Sequence, residues 1–206
     1  MKKIFGILML LAITAGPTVP VQAAEEGKAF SQEGFTFVLP PRWSAPKDHQ
    51  PKGRKKAKEK ILLITRDGLL LDRVEFKKRL IGAGFDYTTK VLTPGMMPQE
   101  MAEVVLNDFE MNESMKNFRV IENKPATVAG IPGFRLVFSY RQDGDLAYQS
   151  VYYGFIKDDL FYSIRFSAPK RHYYEANVAT AEQIVKSFSP QSASGNGGWN
   201  PGSGGN

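Results

Sequence analysis

Between Asn117 and Ala168 the chain alternates apolar and polar residues in four stretches parted by short turn signals, and this constrains the fold more than any other feature. The stretches are Asn117 to Val128, Gly133 to Gln142, Leu146 to Lys157 and Leu160 to Ala168. Gly130-Ile131-Pro132-Gly133, Asp143-Gly144 and Asp158-Asp159 separate them. Strands joined by so few residues must run antiparallel, because a parallel pair needs a crossover of about a dozen residues. Phe134, Leu136, Phe138 and Tyr140 share one face of their strand. Leu160, Tyr162, Ile164, Phe166 and Ala168 do the same in the last one, alternating with Ser163, Arg165 and Ser167. The stretch 146–157 is apolar on both faces, which predicts a central strand covered on both sides.

The first half predicts three more strands. Phe35 to Leu39 ends at Pro40-Pro41, Lys60 to Thr65 follows a polar loop, and Leu69 to Leu80 follows a two-residue hairpin turn at Asp67-Gly68. Pro98 suits the first position of a helix, Glu100 suits its positive end, and Met101, Val104, Val105, Asp108 and Phe109 fall on one face. That predicts a helix over 98–113, with Asp108 the one polar interruption of its stripe. Pro169 closes the last strand, and Val178, Ala181, Ile184, Val185 and Phe188 form the buried stripe of a second helix from about His172 to Phe188. The fold class is therefore α+β: a mostly antiparallel central β-sheet flanked by two helices.

Several structural punctuation marks carry a family resemblance. The opening Phe35-Thr36-Phe37-Val38-Leu39-Pro40-Pro41-Arg42-Trp43, the Gly130-Ile131-Pro132-Gly133 turn and the ending from Tyr162 through Pro169 to Ile184-Val185-Lys186-Ser187-Phe188 resemble the Mog1/PsbP-like superfamily over about residues 33–188. The resemblance implies a central antiparallel sheet with helices packed on it. It also implies a non-enzymatic interaction role, since members include a Ran-binding protein and an accessory subunit of photosystem II. No partner-binding residue of the family carries over.

The N-terminus reads as a cleavable export signal. Lys2 and Lys3 precede an apolar run from Ile4 to Ile13, too short to span a bilayer as a mature helix. Gly16, Pro17 and Pro20 break it, and Val21-Gln22-Ala23 predicts cleavage after Ala23 or Ala24. The expected address is periplasmic, in a Gram-negative cell, or secreted. The chain has no cysteine. That excludes a lipoprotein, disulfides, a thiolate nucleophile and a thiolate metal site. No later stretch reaches the about 18 apolar residues of a membrane span. One domain is expected over 24–188, and Ser189 to Asn206, rich in Gly, Ser and Asn, is expected to be a disordered tail.

Charge is concentrated in one place. Lys47, Lys52, Arg54, Lys55, Lys56, Lys58 and Lys60 crowd into residues 47–60 against only Asp48 and Glu59. With the signal removed, the rest of the chain is close to neutral. Residues 44–58 are rich in Pro, Lys and Gly, the composition of a solvated loop. Such a segment is either a solubilising loop or a contact for polyanions and acidic protein faces. Lys52, Arg54, Lys55, Lys56 and Lys58 are the candidate anion- or partner-binding residues. An envelope protein or a polyanionic surface is the expected partner; nucleic acid is not expected at that address.

Catalytic chemistry has little to draw on. His49 and His172 are the only histidines, without the spacing of a metal site, so no metal or other cofactor is expected. Asp143-Gly144-Asp145 and Asp158-Asp159 read as turns rather than calcium ligands. There is no Gly-x-Ser-x-Gly elbow. Glu75 and Glu122 are strand-borne acids that a fold could bring together, so a metal-independent hydrolase with carboxylates in a sheet-side cleft is the alternative to a binding module. Tyr140, Tyr148, Tyr152, Tyr153, Tyr162, Tyr173 and Tyr174 either line a groove or serve as ordinary half-buried strand aromatics.

Overall fold

The computed structural model describes residues 26–50, 59–142 and 146–191. The export signal, the cations at 52–58, the Asp143-Gly144 turn and the tail from 192 onward lie outside the described residues. The chain forms β1 (Lys28–Gln32), β2 (Phe35–Leu39), β3 (Lys60–Ile64), β4 (Arg73–Leu80), α1 (Pro98–Glu110), β5 (Lys116–Val128), β6 (Ile131–Arg141), β7 (Ala147–Lys157), β8 (Leu160–Pro169), α2 (Glu175–Ser187) and β9 (Ser189–Pro190).

The predicted antiparallel meander is present. A six-stranded sheet runs in the order β3-β4-β8-β7-β6-β5, with every neighbouring pair antiparallel. β7 is central and buried on both faces, as its two-sided apolar pattern requires. Asp158 and Asp159, at φ 49° and 58°, make a two-residue turn whose backbone twist matches that of the strands.

The helices cover opposite faces. On one, Met101, Ala102, Val104 and Val105 of α1 pack over Phe134, Leu136, Phe138, Tyr140 and Tyr152. On the other, Ala181, Ile184 and Val185 of α2 share a core with Val74, Phe76, Val151, Phe155 and Ile164. A second, three-stranded sheet, in the order β1-β2-β9, closes this side. Phe37 stacks on Phe76 at 4.5 Å between ring centroids, and Phe76 on Phe188 at 5.8 Å.

Six local expectations are corrected. A second small sheet accompanies the central one, because β1 pairs with β2 around Glu33-Gly34; β1 is mostly exposed, so it lacks the apolar alternation that marks a strand. Ser189–Pro190 pairs with Phe35 and Thr36, so that part of the expected tail is strand. The turn after β5 is Ala129-Gly130 alone, and Ile131 to Gly133 already belong to β6. α1 stops at Glu110, after which Asn112 accepts hydrogen bonds from the Ser114 amide and hydroxyl in place of a further helical turn. α2 starts at Glu175 rather than His172: His172 sits at φ 83° in a wide turn that brings Tyr174 onto Phe166.

The Asp67-Gly68 hairpin is the sixth. β4 starts only at Arg73, and the connection is a loop organised around the buried Asp72 carboxylate. Asp72 Oδ1 accepts from the Thr65 hydroxyl at 2.6 Å and from the Arg66 and Asp67 amides at 3.1 and 3.0 Å. Oδ2 accepts from Asn177 Nδ2 of α2 at 2.8 Å. One side chain therefore replaces the backbone pairing of a tight turn.

Candidate functional site

The basic segment is fixed at both ends, before it by Gln50 on β3, an edge strand of the six-stranded sheet, and after it by Glu59 on Arg79 of β4. Lys47–His49 form one turn of 3-10 helix, after which the Gln50 amide does what a neighbouring strand would do. Its Oε1 accepts from the Leu63 amide at 2.7 Å, and its Nε2 donates to the Leu63 carbonyl at 2.8 Å and to Pro46 O at 3.0 Å. At the other end Glu59, only 7% exposed, meets Arg79 Nη2 at 2.7 Å. Arg79 also donates to Gly84 O at 3.1 Å and lies 4.6 Å over the Phe85 ring. A buried carboxylate needs such a partner and further hydrogen bonds to offset its desolvation.

Of the seven cations, Lys47 and Lys60 are described; Lys60 meets Glu33 at 3.3 Å. Lys52, Arg54, Lys55, Lys56 and Lys58 belong to the stretch between the two anchors. Because Glu59 is turned inward and paired with Arg79, its charge is already matched within the fold. Gln50 and Arg79 were not singled out from the sequence. Their partners lie 13 and 20 positions away, and no local pattern marks either.

The acids Glu75 and Glu122 are not brought together. Glu75, on β4, points to the α1 side, where its Oε1 lies 3.1 Å from Arg165 and 3.3 Å from Lys77. Burial alone raises its carboxyl pKa, but Arg165, Lys77 and Arg73 outweigh burial and hold it below the ordinary value. The hollow beside it measures about 50 Å³ and also receives Asp108 and Tyr152. That is room for a water or two. Asp108, the interruption of the α1 stripe, accepts from the Tyr87 and Thr88 amides at 2.8 and 3.2 Å, so it fastens the loop before α1.

Glu122, on β5, meets Arg135 instead. The same guanidinium reaches Glu182 Oε1 of α2 at 2.6 Å and donates from Nε to the Tyr153 hydroxyl at 3.0 Å. Burial raises the Glu122 carboxyl, while hydrogen bonding from Lys124 and the charge of Arg135 bring it below its ordinary value. Glu122 is thus held ionised by its cationic neighbours and is not poised to donate a proton.

The tyrosines are largely core residues. Tyr140, Tyr148, Tyr152, Tyr162 and Tyr174 are each at most 7% exposed. Burial pushes the hydroxyl pKa of Tyr152 up, which keeps it neutral. His172 is exposed with its ring against Tyr173. Among the described residues no group of three or more His, Asp or Glu gathers as a metal ion would require.

No protein-family model matches the chain, and no curated protein matches its sequence. Solved structures do. Cyanobacterial PsbP (CyanoP) from Synechocystis superposes with a TM-score of 0.51 at 12% identity, covering 85% of this chain and 98% of that one. The Saccharomyces cerevisiae Ran-binding protein Mog1p superposes with a TM-score of 0.53 at 8% identity, covering 82% of this chain and 97% of that one.

Proposed function

Starting from the Mog1/PsbP-like fold of this chain, we propose that it is an exported, non-enzymatic binding module of the periplasm or extracellular space. It docks on an envelope protein or a polyanionic surface through Lys52, Arg54, Lys55, Lys56 and Lys58. The observation that carries this reading is the double anchoring of the segment by Gln50 and by the Glu59–Arg79 pair. Tethering at both ends to the folded body supports reading the run of cations as one charged contact for a partner. Yeast Mog1p, on the same fold, is a Ran-binding protein, which supports a binding role for this architecture. Partner identity does not transfer with fold.

The test is co-sedimentation of the mature chain with envelope membranes at low and high salt. Contacts made by exposed charges weaken as the Debye length shrinks from about 10 Å at 0.1 M to about 3 Å at 1 M salt. Changing Lys52, Arg54, Lys55 and Lys56 to Glu is expected to abolish the salt-sensitive fraction. Binding that survives the reversal overturns the reading.

A further inference from the structure

The antiparallel order of the six-stranded sheet gathers several chain segments at one end: the β3–β4 connection, the start of β5, the end of β6, the start of β7 and the end of β8. Three leucines occupy the tip of the β3–β4 connection. Leu70 is 83% exposed and Leu71 37%, and Leu146, just before β7, is 48% exposed. Apolar side chains this exposed at loop tips mark a contact surface when they are neighbours.

The leucine tip is held in shape from below. Beyond the Asp72 clamp, the Leu71 and Asp72 amides donate to Gly68 O at 2.8 and 2.9 Å, Arg73 donates to Leu69 O at 3.3 Å, and the Tyr148 hydroxyl donates to Leu70 O at 3.3 Å. These bonds order the loop backbone in advance, which lowers the cost of fixing it on contact. Beside them lies an open hollow of about 820 Å³ whose walls include Pro46, Leu69 and Leu71.

Cations lie at the same end of the sheet. Arg119, Arg141, Lys170 and Ser139 line a second hollow of about 350 Å³ at the same end of the sheet. Tyr140 lines it too, and its ring stacks at 5.6 Å on Tyr148, the residue that holds Leu70 O. Arg119, Lys170 and Arg171 are exposed. Of the acids of the loop, Asp72 is buried, and Asp67 faces Arg66 at 3.8 Å and Asn177 at 3.3 Å.

We propose that this end of the sheet docks on a bilayer of anionic phospholipid, with Leu70 and Leu71 entering the acyl boundary and Arg119 and Lys170 meeting headgroup phosphates. The inference rests on the docking reading above and names its partner. Charge complementarity decides the occupant. An apolar protein groove would take the leucines alone, whereas an acidic membrane surface takes the leucines and the cations beside them.

The chain has no cysteine, so Leu70→Cys can be labelled uniquely with an environment-sensitive fluorophore. Vesicles of an equal mixture of phosphatidylglycerol and phosphatidylcholine are expected to shift its emission to the blue; phosphatidylcholine alone is not. The same label at Asn123, exposed in the middle of β5, stays unchanged. Leu70→Asp should lower vesicle partitioning about tenfold, in keeping with loss of one buried leucine. Arg119→Glu with Lys170→Glu should remove the preference for the acidic lipid. If the chain binds these vesicles through residues 52–56 while the label at position 70 does not respond, the docking reading stands and this inference falls. If Leu70→Asp instead abolishes capture of an envelope protein in the absence of lipid, the tip is a protein contact and the inference also falls. A chain that binds neither vesicles nor envelope extract overturns both.

Discussion

Asp72 and Glu75, three positions apart, each hold a partner far along the chain, Asn177 and Arg165. Asp72 satisfies two backbone amides, a hydroxyl and the Asn177 amide, and joins the β3–β4 loop to α2. Asp72→Ala leaves these buried donors without an acceptor and is expected to lower stability by about 3 kcal/mol, read from urea unfolding. Asp72→Asn presents an NH₂ group toward one set of donors and recovers only part of the loss. Glu75 makes a pH-dependent contribution. Its folded pKa is depressed, so its stabilisation is present in full above the unfolded value of about 4.3 and is lost as pH falls through the lower folded value. Glu75→Gln should therefore be less stable than the parent by about 3 kcal/mol at neutral pH, since it strands the Arg165 charge. The gap in Tm should narrow on acidification below that value; a gap independent of pH would contradict the assignment. Neither role was legible in the sequence. Asp72 reads there as part of a strand and Glu75 as the outward half of an alternation, because their partners Asn177 and Arg165 become neighbours only in the folded chain.

Among elements, β6, β7 and β8 were legible because each buries a full face, and the period-two pattern records that burial directly. β1 and β9 bury too little to leave such a record, and the second sheet went unread with them. The β6–β7 pairing also depends on two glycines whose need is close approach rather than turn geometry. A Cβ on Gly133 would run into the Gly154 carbonyl oxygen and come within 2.8 Å of Phe155 Cβ. Gly154 leaves room for the Phe134 ring, which stacks between Tyr152 and Phe161. Gly133→Ala must displace backbone and is expected to lower stability by about 2 kcal/mol, whereas Gly84→Ala, with nothing within 4 Å, leaves the unfolding midpoint unchanged. Equal effects at the two positions would remove this explanation of the pairing.

At the scale of the whole molecule, one sheet serves two aromatic cores, so neither can melt alone. Trp43 lies in the α2-side core, with its ring 6.4 Å from Phe166, while Tyr140, Tyr148 and Tyr152 lie in the α1-side core. Thermal unfolding of the Trp199→Phe chain, followed by Trp43 emission and by an environment-sensitive label at Glu103→Cys on α1, is expected to give coincident transitions. Separate midpoints would mean that the faces fold independently. The α+β class and the antiparallel order follow from turn lengths and were readable. The candidate site was readable in part: composition exposed the basic segment, but the residues that tether it are single side chains with no local signature. The leucine tip was hidden for a related reason, since a long strand from Leu69 was the simplest reading of an apolar run whose first residues in fact stand outside the sheet.

The Gln50 amide has one more consequence. It ends the sheet at β3 by imitating a neighbouring strand, and the Glu59–Arg79 pair ends the intervening stretch just as firmly. The stretch 51–58 is thus tied to the folded body at both of its ends. Lengthening that stretch is entropically mild, about 0.6 kcal/mol for each doubling. The position behaves as a cassette: descendants of this chain can exchange its charge, length or target while inheriting the same folded body.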